Sequence, residues 1–173
     1  MVNISSQSLY SRALCQWSPE RPHSLLTLFA HQSCVYQAAF SPHTPSVIAS
    51  CSTDGTLRIF DIRSPQSSSL PGQPPVLATP SLTVPAHGNE VLTLDWNKYR
   101  PWVLATGGVD RNIKIWDCRM VQANPGGSLE AGKIGGLCEN ELRGHEYAVR
   151  KVQWSPHRAE LLASASYDMT CRM

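Results

Sequence analysis

Three histidine–aspartate pairs recur at one separation: His31 with Asp54, His87 with Asp110 and His145 with Asp168, each 23 residues apart. A histidine beside a carboxylate is half of a general-base dyad, and catalysis would also need a nucleophile within reach of the base. The sequence provides none at readable spacing. It contains no Gly-rich phosphate loop, no H-E-x-x-H, no G-x-S-x-G and no paired Cys/His metal spacing. The six cysteines, at positions 15, 34, 51, 118, 138 and 171, include no C-x-x-C pair. Several lie inside apolar runs, where a thiol behaves as a small hydrophobe, so they read as structural thiols of a reducing compartment. The expectation is therefore no enzyme, no metal and no cofactor. The three pairs read instead as structural brackets, because a buried His or Asp must find a hydrogen-bond partner.

The elements that position these pairs follow from the same periodicity. Val35, Val91 and Val149 follow the three histidines at one offset, and Phe40, Trp96 and Trp154 at another. Phe60 and Trp116 close the first two copies, each followed by aspartate, Asp61 and Asp117. Within a copy the residues alternate or run apolar at strand length. Val35–Phe40 leads to a Ser-Pro turn, Val47–Ser52 leads to Asp54-Gly55, and Leu57-Arg58-Ile59-Phe60 follows with period two. A further apolar run precedes each histidine: 24–29, 82–84 and 137–142.

Four short antiparallel strands per unit, with Gly-His before and Trp-Asp after, resemble the WD-repeat family of β-propellers. Gly144-His145 and Trp116-Asp117 are its signature dipeptides, and Ala30-His31, Ala86-His87 and Phe60-Asp61 are degenerate versions. The implied fold is all-β, an incomplete propeller of two full and two partial blades from a seven-bladed ring. By phase, 13–30 is the outer half of one blade, with Trp17 ending its third strand. Residues 31–86 and 87–144 are complete blades, 145–173 holds the truncated inner strands of another, and 1–12 match no part of the repeat. Two connections stand out: a Pro/Ser-rich loop over 64–86 and a Gly-rich loop over 121–136, both read as spacers, the first with some polyproline character.

Composition bounds the partners. Of 173 residues 42% are hydrophobic and 16% charged, so a packed core rather than a charged arm is expected. A net charge of +2 provides no basic field for nucleic acid. No apolar run reaches membrane-span length, which argues against direct membrane insertion. What remains is binding. In WD-repeat proteins the exposed end of each blade presents the residues flanking the repeat valine and the residue before the turn aspartate. Here these are Cys34, Tyr36 and Thr53; Glu90, Leu92 and Val109; and Ala148, Arg150 and Tyr167.

Several longer strings resemble one family within this class, the receptors for the type-2 peroxisomal targeting signal. They are Arg21–Leu25, Asp95–Arg100, Gly108–Arg111, Gly144–Arg150 and Ser164–Thr170. The resemblance implies a cargo receptor that binds an N-terminal signal containing basic and leucine residues. It implies peroxisomal enzymes as cargo, a co-receptor and a membrane docking complex as partners, and shuttling between cytosol and peroxisome matrix. Glu90 is the one acidic residue among the nine, so it is the expected partner of a basic signal residue, with Tyr36, Leu92 and Tyr167 as an apolar floor and Thr53, Val109 and Arg150 around it. A generic WD-repeat scaffold or adaptor for another complex is the alternative reading.

Overall fold

The computed structural model describes residues 3–5, 12–20, 22–63, 76–77, 80–121 and 133–173. Every regular element among them is a strand. In chain order they are β1 (Asn3–Ser5), β2 (Ala13–Trp17), β3 (Leu26–Phe29), β4 (Val35–Phe40), β5 (Val47–Ser52), β6 (Thr56–Asp61), β7 (Val76–Leu77) and β8 (Leu82–Pro85). There follow β9 (Val91–Trp96), β10 (Val103–Gly108), β11 (Ile113–Val121), β12 (Lys133–Leu142), β13 (Val149–Trp154), β14 (Leu162–Ser166) and β15 (Cys171–Arg172).

The strands form an incomplete propeller. β4-β5-β6-β8 and β9-β10-β11-β12 are two complete four-stranded blades, and β13-β14-β15 is a partial one. The other partial blade is β1-β2-β3-β7, in which β2 and β3 hold the third and outer positions. Asn3–Ser5, for which the repeat offers no place, pairs antiparallel with β2 and takes the second-strand position. Val76–Leu77, from the Pro/Ser-rich connection, pairs parallel with β3 of the preceding blade. The rest of that connection, 64–75 and 78–79, lies outside the described residues.

The Gly-rich connection is shorter than its composition suggests. Val121 ends β11 and pairs with Gly135, so β12 begins at Lys133 rather than at Leu137. Its first residues pair in parallel with β8, Lys133 with Leu82 and Ile134 with Thr83. Glycine is used here for approach and not for a loop. Gly136 has φ +93°, and a Cβ on it would stand 2.9 Å from Val84 Cγ2. Residues 122–132 lie outside the described set.

The cores lie between blades, because each sheet is apolar on both faces. Leu14, Leu26, Leu28 and Ala30 pack against Val35, Ile48 and Phe60. Leu57, Ile59 and Val84 of the first full blade meet Leu94, Trp96, Leu104 and Trp116 of the second. Val103, Ala105, Ile113 and Ile115 meet Val149, Val152 and Trp154. Polar links lock the inner strands in the same order. Gln37 Nε2 donates to Leu94 O at 2.8 Å, Thr93 Oγ1 donates to Gln37 Oε1 at 3.0 Å, and the Val152 N–H donates to Thr93 Oγ1 at 3.2 Å. The Trp154 N–H donates to Asp95 Oδ2 at 2.8 Å. Inner-edge amides that have no ladder partner are thus satisfied by the preceding blade.

One backbone feature repeats at the turn after each bracket aspartate. Gly55, Arg111 and Met169 have φ of 78°, 71° and 62°. Only the first is a glycine, and a side chain in this region is strained. Arg111→Gly is therefore expected to stabilise the protein by about 1 kcal/mol, read as a rise in the midpoint of chemical denaturation. Gly55→Ala should do the reverse, since its Cβ would also stand 2.8 Å from His87 O.

Candidate functional site

Each bracket joins a loop to a turn across the open end of its blade. His31 Nδ1 lies 3.0 Å from Asp54 Oδ2 and its Nε2 lies 2.8 Å from Ser50 Oγ. His145 repeats this, 2.7 Å from Asp168 Oδ2 and 2.8 Å from Ser164 Oγ. In the second full blade the chain is one link longer. Trp116 Nε1 donates to Thr106 Oγ1 at 2.9 Å, Thr106 Oγ1 stands 2.8 Å from His87 Nε2, and His87 Nδ1 stands 2.8 Å from Asp110 Oδ2.

Proton counting settles the second bracket. The Asp110 carboxylate can only accept, so the proton of the neutral His87 ring sits on Nδ1, and the unprotonated Nε2 accepts from the Thr106 hydroxyl, which itself accepts from the indole. The Nδ1–H then donates to Asp110. Burial, which disfavours the imidazolium, lowers the His87 pKa below its ordinary 6.5 despite the nearby Asp110 carboxylate. Around Asp54, burial opposes ionisation, but hydrogen bonds from His31 and Thr56 outweigh it and hold the carboxyl well below its usual range. All three imidazoles are buried, and among the described residues the nucleophilic side chains bonded to their Nε2 atoms are Ser50, Thr106 and Ser164. These groups hold loops in place.

What the brackets hold is the surface at the blade ends, and a bulge shapes it. The pairing of first and second strands shifts between Val35 and Gln37, at Gly107/Gly108, and between Val149 and Lys151. The extra residue is Tyr36, Leu92 and Arg150 in turn. A bulge turns one side chain out of the alternating register, so the same sequence position in each copy faces the open end.

Tyr36 lies within electrostatic range of groups on the neighbouring blades. Its phenol is raised above the ordinary 10.0, first by burial, then by the Glu90 carboxylate and Cys34, with Arg150 opposing and Tyr167 adding. One side chain of the first full blade thus senses Glu90 of the second and Arg150 and Tyr167 of the partial blade. Tyr36 and Val109 are about two-fifths exposed and Tyr167 rather more. No ion pair to the Glu90 carboxylate occurs among the described residues. Ala148 O accepts from the Tyr167 N–H at 3.1 Å, tying two of the loops together.

One floor residue and one residue expected around the floor sit differently from that expectation. Leu92 is only 6% exposed, so it supports the surface from beneath. The Thr53 hydroxyl is turned to Ser33 Oγ, to which it donates. Offset reasoning also passed over Tyr147 and Met169, which are 61% and 98% exposed beside Tyr167. The signal for Met169 was its place after the turn aspartate, where the left-handed backbone projects the side chain outward.

The thiols separate into three groups, with Cys15 and Cys34 half-buried between the extremes. All six are free; Cys51 and Cys118 are buried, and burial pushes both up to about 12, whereas Cys138 and Cys171 are exposed. Alkylation of the native protein near pH 8 is expected to modify Cys138 and Cys171 and spare Cys51 and Cys118 until denaturant is added, as read by mass spectrometry.

Comparison with known proteins agrees with this architecture. The family model described as "WD domain, G-beta repeat" matches residues 22–61, 78–117 and 136–173. The chain is similar to the peroxisomal targeting signal 2 receptor of Saccharomyces cerevisiae, 40% identical over 91% of this chain and 48% of that protein. It is similar to the receptor of the same name in Komagataella phaffii, 39% identical over 83% of this chain and 34% of that protein. Likeness extends more weakly to the histone acetyltransferase type B subunit 2 of Aspergillus fumigatus, 27% identical over 83% of this chain and 30% of that protein. The chain spans about half or less of the length of these relatives. With the repeat matched three times and its strands, brackets and turns in place, the chain belongs to the WD-domain, G-beta-repeat family.

Proposed function

We propose that this chain is part of a receptor for the type-2 peroxisomal targeting signal, a binding protein without catalysis. The observation that carries the reading is that Glu90, Arg150 and Tyr167, from the two following blades, lie within electrostatic range of Tyr36, in a chain similar to two receptors of that name. An amphipathic signal peptide would lay its leucines on Tyr36, Val109 and Tyr167 and its basic residue against Glu90. Leu92 supports that floor, and Thr53 and Arg150 border it. A partly desolvated pair of this kind contributes more than one at the rim. Cargo would be enzymes bearing the signal, carried from cytosol to peroxisome matrix with a co-receptor and a membrane docking complex. The test is fluorescence anisotropy of a labelled signal peptide with this chain and with a chain extended to a closed ring. Glu90→Gln is expected to weaken binding to the extended protein about tenfold and to flatten its salt dependence. Unchanged affinity would remove Glu90 from the site. Absence of binding by a folded extended protein would favour the scaffold reading.

A further inference from the structure

The seam between the two complete blades is hydrogen-bonded on four sides. Along the inner strands Gln37 Nε2 donates to Leu94 O at 2.8 Å and Trp96 Nε1 donates to Ala39 O at 3.2 Å. At the end that carries the brackets, the Ala86 and His87 N–H groups both donate to Gly55 O, each at 3.1 Å. At the opposite end His43 Nε2 donates to Asn97 O at 3.1 Å. On the outer side Lys133 and Ile134 pair in parallel with Leu82 and Thr83 of β8. This last contact changes the architecture. Propeller blades are ordinarily separate four-stranded sheets. Here the outer pairing joins two of them into one sheet of eight strands, in the order β4-β5-β6-β8-β12-β11-β10-β9.

The residues at the crossing suit it. Gly135 is buried and pairs with Val121, and Gly136, at φ +93°, passes so close to β8 that a Cβ would stand 2.9 Å from Val84 Cγ2. The seam one blade earlier repeats the arrangement. Val76 and Leu77, also from a segment between third and outer strands, pair in parallel with Thr27 and Leu28 of β3. Two dissimilar sequences thus reach the same place on the preceding blade, so the pairing belongs to the fold position. In repeat architectures each unit contacts only its neighbours, and units open one by one where a seam is weaker than the unit. A backbone ladder across the seam must break together with the packing beneath it. We propose that Lys133–Ile134 is a strap that makes the two complete blades a single cooperative unit, opening together rather than blade by blade. β4 and β9 are the terminal strands of the joined sheet, so Tyr36 and Leu92 are placed by the same unit.

Hydrogen exchange of the intact native chain, followed by mass spectrometry through rising sub-denaturing denaturant, tests this. Peptides from β4, β5, β6 and β8 are expected to merge with those from β9, β10 and β11 into one isotherm of common slope. Ile134→Pro breaks the strap's ladder at a side chain that is 37% exposed, where little core is lost. It is expected to split that isotherm, leaving the two blades about tenfold apart in exchange rate at one denaturant concentration. Ile134→Ala keeps the backbone N–H and should leave a single isotherm. Two isotherms in the unmodified chain, one isotherm in Ile134→Pro, or a split in Ile134→Ala would each overturn the proposal. The unmodified chain alone decides the first of these, so a variant that fails to fold leaves the proposal testable. No signal peptide enters these measurements, so the outcome stands apart from the receptor reading.

Discussion

Thr106→Val is expected to lower the stability of this protein by about 3 kcal/mol, although it exchanges one β-branched side chain for another of nearly equal volume. The hydroxyl it removes is fully buried and serves two groups at once, accepting from Trp116 Nε1 and donating to His87 Nε2. Neither group can reach water, and a buried donor or acceptor left unmatched typically costs about 1–3 kcal/mol. Ser50→Ala is the informative comparison. Ser50 makes the same bond to His31, but Phe60 stands where Trp116 does, so only one ring nitrogen is orphaned. Its effect should be about half as large. Denaturant titrations of the two variants give both values directly, and equal effects would mean that the indole adds nothing to the bracket.

Acid should act on the same network in a definite direction. The folded state lowers the His87 pKa below 6.5, chiefly through burial, and so favours the neutral ring. Its contribution is complete above pH 6.5 and is lost as pH falls from there through the folded value. The Asp54 carboxyl is also lowered, and its contribution is complete above its ordinary 3.8 and is lost below it. Stability is therefore expected to decline in two stages on acidification, first through histidine and then through aspartate. Denaturation midpoints measured at pH 7.5, 5.5 and about 3 would trace both stages, and Thr106→Val should alter only the first.

Gly107→Val is the second large effect, again about 3 kcal/mol, and it acts between blades rather than within one. A Cβ at this position would stand 2.7 Å from Val149 Cγ1 and 3.0 Å from Thr93 Cγ2. Both neighbours are buried β-branched side chains of inner strands, so neither can swing aside cheaply. Thr93 also carries the link to the Val152 N–H, so the wedge strains a hydrogen bond together with the packing. The partial blade β13-β14-β15 should loosen first, seen as faster amide exchange in β13 with little change in β5. Gly88→Ala is the control: no atom lies within 4 Å of its Cβ, and its effect should stay within about 0.5 kcal/mol. If Gly107→Val were as mild as that, the interface would be softer than its packing implies.

Much of the blade could be read directly from residue types. The spacing of His31, His87 and His145 from their aspartates sets three identical loop-to-turn ties, because a buried imidazole admits few partners and the tie has one length. Alternation in Leu57-Arg58-Ile59-Phe60 and in Ile113-Lys114-Ile115-Trp116 marks third strands, since a pleated sheet repeats every two residues. Asn3–Ser5 was not legible, having no repeat to match and finding its place only by pairing with β2. The Gly-rich stretch misled because glycine permits a loop and an intimate strand contact equally, and only Val84 on the neighbouring strand distinguishes them.

The candidate surface divides in the same way. By itself the sequence determined which positions recur at the blade ends, since a repeat carries its own coordinates. Only the tertiary structure decided which of them meet. Tyr36 senses Glu90 and Arg150 because the blades are stacked by Gln37, Thr93 and Asp95, whose partners lie more than fifty residues away. Leu92 is buried where Tyr36, at the matching bulge of the first full blade, is exposed, and Met169 stands out from a left-handed turn. Periodicity is a property of one chain segment and survives without its neighbours. Exposure and proximity are properties of packed blades and exist only once the blades have come together.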